Sequence, residues 1–142
     1  MYKYSENHPF KYLFSLFPVK RNAIFLTFHN FTERDLIWFG KFVKRYKNRI
    51  KSIDEFDYNN LNENDIFLSF DDGFHSNYIV AKNILDKHHI KGLFFLTNNF
   101  LNLVPLESLN FAKKKLFPDS KIKNISDIQS MNNNHIFYLI KN

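Results

Sequence analysis

Short, nearly continuous apolar runs recur along the middle of the chain. They lie at residues 23–29 (AIFLTFH), 66–70 (IFLSF) and 93–97 (LFFLT). None of them alternates strictly between apolar and polar positions, which is the pattern of a strand with one face in water. The runs therefore predict three buried strands of the kind found in parallel sheets.

Stretches with helical spacing separate these runs. Thr32 and Asp35 have the spacing of a capping box, and the stretch after them carries apolar residues on one helical face: Leu36, Phe39, Val43 and Tyr46. A second stretch begins after Gly73, and its shared face carries Tyr78, Ala81 and Leu85. The order β, α, β, α, β favours parallel pairing with right-handed crossovers, so the sequence predicts an α/β fold.

The last third of the chain is less regular. Residues 106–117 (LESLNFAKKKLF) predict an amphipathic helix that Pro118 closes, and residues 126–131 predict the start of another helix. An apolar run at 134–142 (NHIFYLIKN) then closes the sequence.

The composition is that of a folded domain. With 142 residues, 44% of them hydrophobic, the chain can bury one core. We assign residues 23–142 to this domain and residues 1–22 to an N-terminal extension, which lacks the apolar core of a signal peptide. Charged or polar residues interrupt every apolar run, so none is long enough to span a bilayer. We therefore expect a soluble, cytoplasmic protein.

The charge and the cysteine content restrict the expected partners and metal ligands. The formal net charge is +6, but the lysines are scattered and form no patch interleaved with aromatic residues, so nucleic acid is not an expected partner. The chain has no cysteine, which excludes disulfides and thiolate metal sites. Aspartate, glutamate and histidine remain as strong metal ligands.

A functional site is expected where the second strand ends, because two adjacent carboxylates, Asp71 and Asp72, lie there before Gly73. In parallel α/β proteins the carboxyl ends of the strands carry ligand-binding and catalytic groups. Two adjacent carboxylates repel each other unless a cation, a shared proton or hydrogen bonds offset the repulsion. The pair is therefore a candidate metal or acid–base site. An Asx turn that caps the next helix is the alternative interpretation.

The segment from Leu68 to Leu101 (LSFDDGFHSNYIVAKNILDKHHIKGLFFLTNNFL) resembles the first motif region of NodB-like polysaccharide deacetylases. That family carries a Thr/Ser-Phe-Asp-Asp-Gly signature followed by a helix and a Phe-rich strand. The resemblance implies a partial (β/α) barrel with parallel strands and flanking helices. It also implies metal-dependent hydrolysis of an N-acetyl or O-acetyl group on a carbohydrate. Asp71 would be the catalytic base and Asp72 a ligand of a divalent metal, with zinc as the first candidate.

The chain departs from the family pattern near its end. There the family has a helix and then a strand, which delivers a His-Ser/Thr-x-x-His motif that completes the metal site. Residues 134–142 occupy the matching place without this motif, and no His-x-x-x-His pair occurs in the sequence. We therefore expect weak or no metal binding and activity from this chain alone. Three explanations stay open: a truncated or frameshifted product, a degenerate homologue that serves as a binding or assembly module, or an enzyme completed by another subunit.

Other polar residues belong to the same edge of the predicted sheet. His29 ends the first strand and is a candidate metal or substrate ligand, with a structural role as the alternative. Asn98 and Asn99 follow the third strand, where their amides can bind sugar hydroxyls or form a turn. The contrasting function is a non-catalytic carbohydrate-binding or interaction module, which would tolerate loss of Asp71. Expected partners are a carbohydrate, and either a second copy of the chain or a missing C-terminal half.

Overall fold

The computed structural model describes residues 23–62, 64–118 and 128–141. Within them, three strands form a parallel sheet in the order β1-β2-β3, where β1 is Ile24–Phe28, β2 is Ile66–Phe70 and β3 is Leu93–Phe94. Helices flank the sheet, so the fold is of the predicted α/β class. The expected extension, residues 1–22, lies outside the described residues.

The described helices follow the strands along the chain: α1 Glu33–Tyr46, α2 His75–Val80, α3 Pro105–Phe111 and α4 Asn133–Lys141. A π-helical turn continues each of α2 and α3, and the first of these leads into a 3-10 turn: Ala81–Leu85, Ala112–Leu116 and Asp86–His88. The helix predicted over 106–117 is therefore present as α3 and its π-helical turn. Within the described residues, no helix is long and apolar enough to cross a membrane.

The predicted capping box starts α1. Asp35 N donates to Thr32 Oγ1 at 3.3 Å, and Thr32 N donates to Asp35 Oδ2 at 3.0 Å. This reciprocal pair satisfies backbone donors that the first helical turn leaves without partners. From this start the apolar face of α1 packs on the sheet, with Phe39 and Val43 fully buried. Trp38 lies at the margin of that face, and its ring stacks on Phe42 at 5.4 Å.

The register of β1 and β2 brings the carboxyl ends of both strands to the same level. Ile24 lies opposite Ile66 and Phe28 lies opposite Phe70. Every residue of β2 is buried, as expected for a central strand covered on both faces. The residues that follow β1 and β2 therefore leave the sheet side by side.

The larger core cluster is centred on Phe70. Because side chains alternate between the faces of a strand, Ile66, Leu68 and Phe70 share one face of β2. Four aromatic rings lie within 4.8–6.2 Å of the Phe70 ring: Phe28, Phe31, Phe39 and Phe94. Aromatic contacts between the sheet and α1 therefore carry much of this core.

A second cluster lies after the end of β2. It joins the residues that follow the strand to α3 and to residue 128, through buried Phe74, Phe100, Leu109, Ala112 and Ile128. Phe74 also forms an isolated antiparallel bridge with Ser130. This cluster holds the loops above the carboxyl edge of the sheet in place.

The strand predicted over residues 93–97 is confirmed in position and in its parallel pairing, but its predicted length and burial were wrong. Only Leu93–Phe94 pair with β2, and Leu93, Phe95 and Leu96 are 38%, 52% and 38% exposed. β3 is the edge of the described sheet, so no described strand pairs with its outer side. Burial of an apolar run depends on a neighbour, and here the outer neighbour is absent from the described residues.

Two predictions for the end of the chain were also wrong. Residues 128–131 are extended rather than helical, because Ser130 bridges Phe74 and Met131 N donates to Gly73 O at 2.8 Å. Residues 126 and 127 of that predicted helix lie outside the described residues. The strand that the resemblance places over 134–142 is instead α4, Asn133–Lys141. Asn132 and His135 cap α4 reciprocally, so local hydrogen bonds favour the helix.

Candidate functional site

The ends of β1 and β2 bring three of the predicted site residues together. Asp71 N donates to Phe28 O at 2.8 Å, which sets Asp71 beside the end of β1. His29 follows Phe28, and its Nε2 lies 3.8 Å from Asp71 Oδ2 and 4.0 Å from Asp72 Oδ2. The three side chains are 18–29% exposed. The structure thus places an imidazole and two carboxylates in one partly buried group at the carboxyl edge of the sheet.

A left-handed turn follows β2 where the two carboxylates approach His29. Asp72 has φ +72° and Gly73 has φ +81°. Aspartate is one of the few residues with a side chain that enters this region at modest cost, and such conformations concentrate at functional sites. Thr97 holds the turn, because its Oγ1 donates to Asp72 Oδ1 at 3.2 Å and its N donates to Asp72 O at 3.3 Å.

Adding a methyl group to Gly73 is expected to destabilise this turn. In Gly73→Ala the Cβ would lie 2.8 Å from Leu101 Cδ2, at a φ that alanine rarely adopts. We expect a loss of about 1–2 kcal/mol in the free energy of unfolding, measured by chemical denaturation.

Gly40→Ala in α1 is the matched control for Gly73→Ala. Its Cβ would meet only Ile84 Cδ1, at 3.9 Å. Since alanine favours a helix over glycine, this control is expected to gain about 0.5–1 kcal/mol. Equal effects of the two substitutions would show that the turn conformation carries no cost.

Asn98 and Asn99 lie at the same edge but are not part of the group. Both are exposed in the 3-10 turn Asn98–Phe100. Within the described residues it is Thr97, the residue before them, that hydrogen-bonds Asp72. Their role in binding sugar hydroxyls stays a prediction.

The environment of Asp71 favours its protonated form. Burial raises the pKa of Asp71, the nearby His29 opposes this shift, and Asp72 adds to it. Asp71 Oδ1 is buried and has no hydrogen-bond partner among the described residues. A carboxylate with a raised pKa is a better proton acceptor than an ordinary exposed aspartate. The arrangement therefore suits Asp71 to acid–base chemistry.

Sequence reasoning missed Asn77, which is fully buried on α2 beneath the site. Its Nδ2 donates to Asp71 O at 2.9 Å, so it fixes the backbone of the candidate base. Tyr78 was expected on this inner face but instead packs toward α4. The spacing along α2 could have indicated this position. Asn77 lies three residues before Val80 and four before Ala81, so it shares their buried helical face.

Asp71, Asp72 and His29 could bind a metal ion, but they supply fewer ligands than a catalytic zinc site usually has. Imidazole nitrogen and carboxylate oxygen are donors that zinc takes, and His29 and Asp72 supply one each. The orphaned oxygen of Asp71 is a further sign that a polar partner belongs here. However, the described residues contain no group of three or more His, Cys, Asp or Glu arranged to hold a metal ion. Catalytic zinc usually has three protein ligands.

Two other histidines lie between α2 and α4. The His135 ring is 4.2 Å from the Tyr78 ring and 4.7 Å from the His75 ring. Lys82 lies above the ring of Tyr78, and Tyr138 donates a hydrogen bond to Asp86 nearby. These side chains attach α4 to α2.

Acidification is expected to weaken this attachment. Burial lowers the pKa of His75 and of His135, and His75 and Lys82 lower that of His135 further. Histidine in the unfolded chain has a pKa of about 6.5, so the two residues stabilise the fold above that pH. Their contribution falls as the pH drops below about 6.5 and is fully lost below their folded-state pKa values. We expect a lower melting temperature at about pH 5.5 than at about pH 7.5, measured by circular dichroism.

The variant in which His75 and His135 are both glutamine is the control for this pH dependence. It should show a smaller difference in melting temperature between the two pH values. Asp71 acts in the opposite direction, because a raised carboxyl pKa favours the fold at lower pH. A wild-type melting temperature that rises on acidification would contradict the expected dominance of the histidines.

Comparisons with protein-family models, curated proteins and solved structures found no match to this chain. The fold class therefore rests on the described sheet and helices. Any function must be argued from the group of Asp71, Asp72 and His29 and from the sequence motif around it.

Proposed function

We propose that this chain is a polysaccharide deacetylase-like protein of the NodB-like type. Its chemistry is the metal-dependent hydrolysis of an acetyl group on a carbohydrate. The observation that supports this most is the convergence of Asp71, Asp72 and His29 at the carboxyl edge of a parallel sheet. It is the position where α/β enzymes assemble catalytic groups, and the three side chains include both acid–base and ligand chemistry.

The proposal extends to the fold. We interpret the three parallel strands and their helices as the first part of a (β/α) barrel. The exposed edge of β3 supports this interpretation, because Leu93 and Phe95 are apolar side chains that a further strand or helix would bury.

Each residue of the group has a distinct role in this proposal. A divalent metal, with zinc as the first candidate, would polarise the acetyl carbonyl and activate water when bound. Asp72 and His29 would hold it. Asp71 would accept a proton from water at Oδ2, because Oδ1 is buried from solvent. His29 Nε2 lies 3.8 Å from that oxygen, so the proposed base stands next to a proposed metal ligand.

The ligand set suggests weak activity from this chain alone. Two protein ligands are fewer than a usable catalytic zinc site requires. A further ligand would come from a second copy of the chain or from residues outside those described. The second candidate, a non-catalytic carbohydrate-binding module of the same fold, is favoured by the lack of a three-ligand group among the described residues.

Zinc calorimetry combined with an acetate assay tests the proposal. The wild type is expected to bind zinc weakly and to release acetate slowly from an acetylated chito-oligosaccharide. Asp72→Asn should weaken zinc binding by about tenfold or more, because one ligand is lost. The control is Asp54→Asn, since Asp54 is exposed and pairs only with Lys91 at 3.2 Å among the described residues.

The outcomes of this experiment separate the two candidates. Acetate release that depends on Asp72 supports the enzyme. Sugar binding without zinc, unchanged in Asp72→Asn and without acetate release, would overturn the enzyme in favour of the binding module. If the chain bound neither zinc nor sugar, both candidate functions would be refuted.

A further inference from the structure

A cavity of about 140 Å³ lies where α4 meets β3 and the π-helical turn that continues α2. Six side chains of its described lining are apolar: Ile53, Ala81, Leu85, Ile90, Phe94 and Leu139. An apolar cavity of about 150 Å³ in a protein core stays dry and takes up benzene. This apolar cavity therefore suits a single aromatic ring or a branched alkyl group.

The π-helical turn is a second feature that points to a functional role here. Ala81 and Leu85 begin and end this turn, and both are buried and line the apolar cavity. Single π-helical turns within helices are rare and occur frequently at functional sites. The apolar cavity is thus part of a local departure from regular helix geometry, rather than a gap between two regular elements.

A polar cavity of about 310 Å³ adjoins the apolar cavity. Asp86, Ile90 and Lys91 line both cavities, and His89 completes the described lining of the polar one. Small-molecule sites typically combine apolar walls with a few polar groups that fix the orientation of the ligand. The two adjoining cavities provide this combination for a molecule that has an apolar group and a polar head.

The polar lining favours an anionic head. The Lys91 side chain is 58% exposed and pairs with Asp54 at 3.2 Å. So exposed an ion pair contributes little, so a ligand carboxylate can share the Lys91 ammonium at small cost. Asp86 accepts a hydrogen bond from Tyr138, which raises the pKa of Tyr138 to about 12 and keeps the phenol protonated. Asp86 is thereby engaged with α4, while Lys91 and the His89 imidazole offer N–H donors to the head.

We propose that the two cavities together bind a small carboxylate ligand that carries one apolar group. The apolar group, an aromatic ring or a branched alkyl chain, fills the apolar cavity between Leu85, Phe94 and Leu139. The carboxylate lies in the polar cavity against Lys91 and His89. This site is independent of the proposed deacetylase chemistry, because the described lining of the two cavities contains none of Asp71, Asp72 and His29.

NMR titration of the full chain with phenylacetate tests this proposal. We expect the signals of Leu85, Ile90 and Leu139 to shift. The melting temperature should also rise with phenylacetate concentration, because the ligand binds the folded chain. Phenylacetamide has the same ring without the charge, so it should bind at the same place about two- to fivefold more weakly, the effect of one exposed ion pair. Phenethylamine, which carries an ammonium group, should bind more weakly than phenylacetamide.

Lys91→Met tests the contact with the carboxylate. It should weaken phenylacetate binding about two- to fivefold, to the level of phenylacetamide, and should leave phenylacetamide binding unchanged. Lys87→Met is the matched control, because Lys87 is exposed in the neighbouring 3-10 turn and lies outside the described lining of both cavities. It removes the same charge at a distance and should change phenylacetate binding by less than about twofold.

Ala81→Leu tests the apolar cavity by filling it. We expect this variant to lose the binding of phenylacetate and phenylacetamide without a lower melting temperature. Ala112→Leu is the matched control, because Ala112 also begins a π-helical turn and is fully buried, in the cluster around Phe74. There the larger side chain should overpack the core and lower the melting temperature, with ligand binding kept. Leu139→Trp fills the apolar cavity from half-buried α4, so it gives the same test if Ala81→Leu does not fold.

The outcomes decide each part of the proposal. Binding that is lost in Ala81→Leu or Leu139→Trp and weakened in Lys91→Met supports it. Absence of phenylacetate binding, or shifts that avoid Leu85, Ile90 and Leu139, would overturn the site. Equal effects of Lys91→Met and Lys87→Met, or tighter binding of phenethylamine than of phenylacetate, would overturn the carboxylate ligand.

Discussion

Replacing Asp71 by asparagine is expected to raise the thermal stability of the chain while reducing acetate release by about 10²–10⁴-fold. The loss of rate follows from removing the proposed base, since an amide cannot accept the proton. The gain in stability follows from the raised pKa of Asp71, which burial causes. A raised carboxyl pKa stabilises the fold at low pH, and this contribution is lost as the pH rises through the folded-state value. At neutral pH the ionised Asp71 is therefore a cost that asparagine removes.

Acetate assays and thermal melts at neutral pH check the two halves of this prediction. Asp54→Asn is the matched control, because the same change at an exposed ion pair should alter neither quantity measurably. A variant that melts lower than the wild type would indicate that Asp71 has a structural role. Unchanged acetate release would remove Asp71 from the proposed mechanism. If the wild type releases no acetate, the stability gain still tests the electrostatics of the site.

Truncating Phe70 to alanine is expected to cost about 3–5 kcal/mol in the free energy of unfolding. Phe70 is fully buried, and its ring contacts four other aromatic rings of the larger core cluster. Because domains of this size are stable by only about 5–15 kcal/mol, the variant should be close to unfolding at room temperature. Urea denaturation followed by circular dichroism measures the loss.

Phe137→Ala provides the matched control for Phe70→Ala. Phe137 lies on α4 and is 69% exposed, so the same truncation there should change stability by about 0.5 kcal/mol or less. Comparable losses in the two variants would mean that Phe137 is covered in solution or that the cluster around Phe70 is not the principal core.

The fold could be predicted as far as local pattern determines it. The apolar runs at 23–29 and 66–70 became β1 and β2, because both strands have neighbours and covered faces. The run at 93–97 forms β3 only at its first two residues and is partly exposed, because its burial depends on an outer neighbour that local sequence does not reveal. Periodicity alone does not show whether the run at 134–142 is a strand or a helix. Its packing on α2 favours the helix α4.

The candidate site could be predicted in part for a similar reason. Parallel strands that end at the same level bring their following residues together, so His29 was expected near Asp71 and the structure places it there. The contacts of Asn77 and Thr97 were not predicted. They depend on the left-handed turn at Asp72, which determines where backbone carbonyls and side-chain oxygens point.

The stacking of Trp38 on Phe42 has a spectroscopic consequence. Trp38 is the one tryptophan of the chain, and it borders the cluster around Phe70 rather than the cluster around Phe74. Its fluorescence therefore reports loss of packing between α1 and the sheet. Different unfolding midpoints by fluorescence and by far-ultraviolet circular dichroism would show that unfolding is not two-state, as expected if the loops that carry the candidate site and the sheet beneath them unfold as separate units.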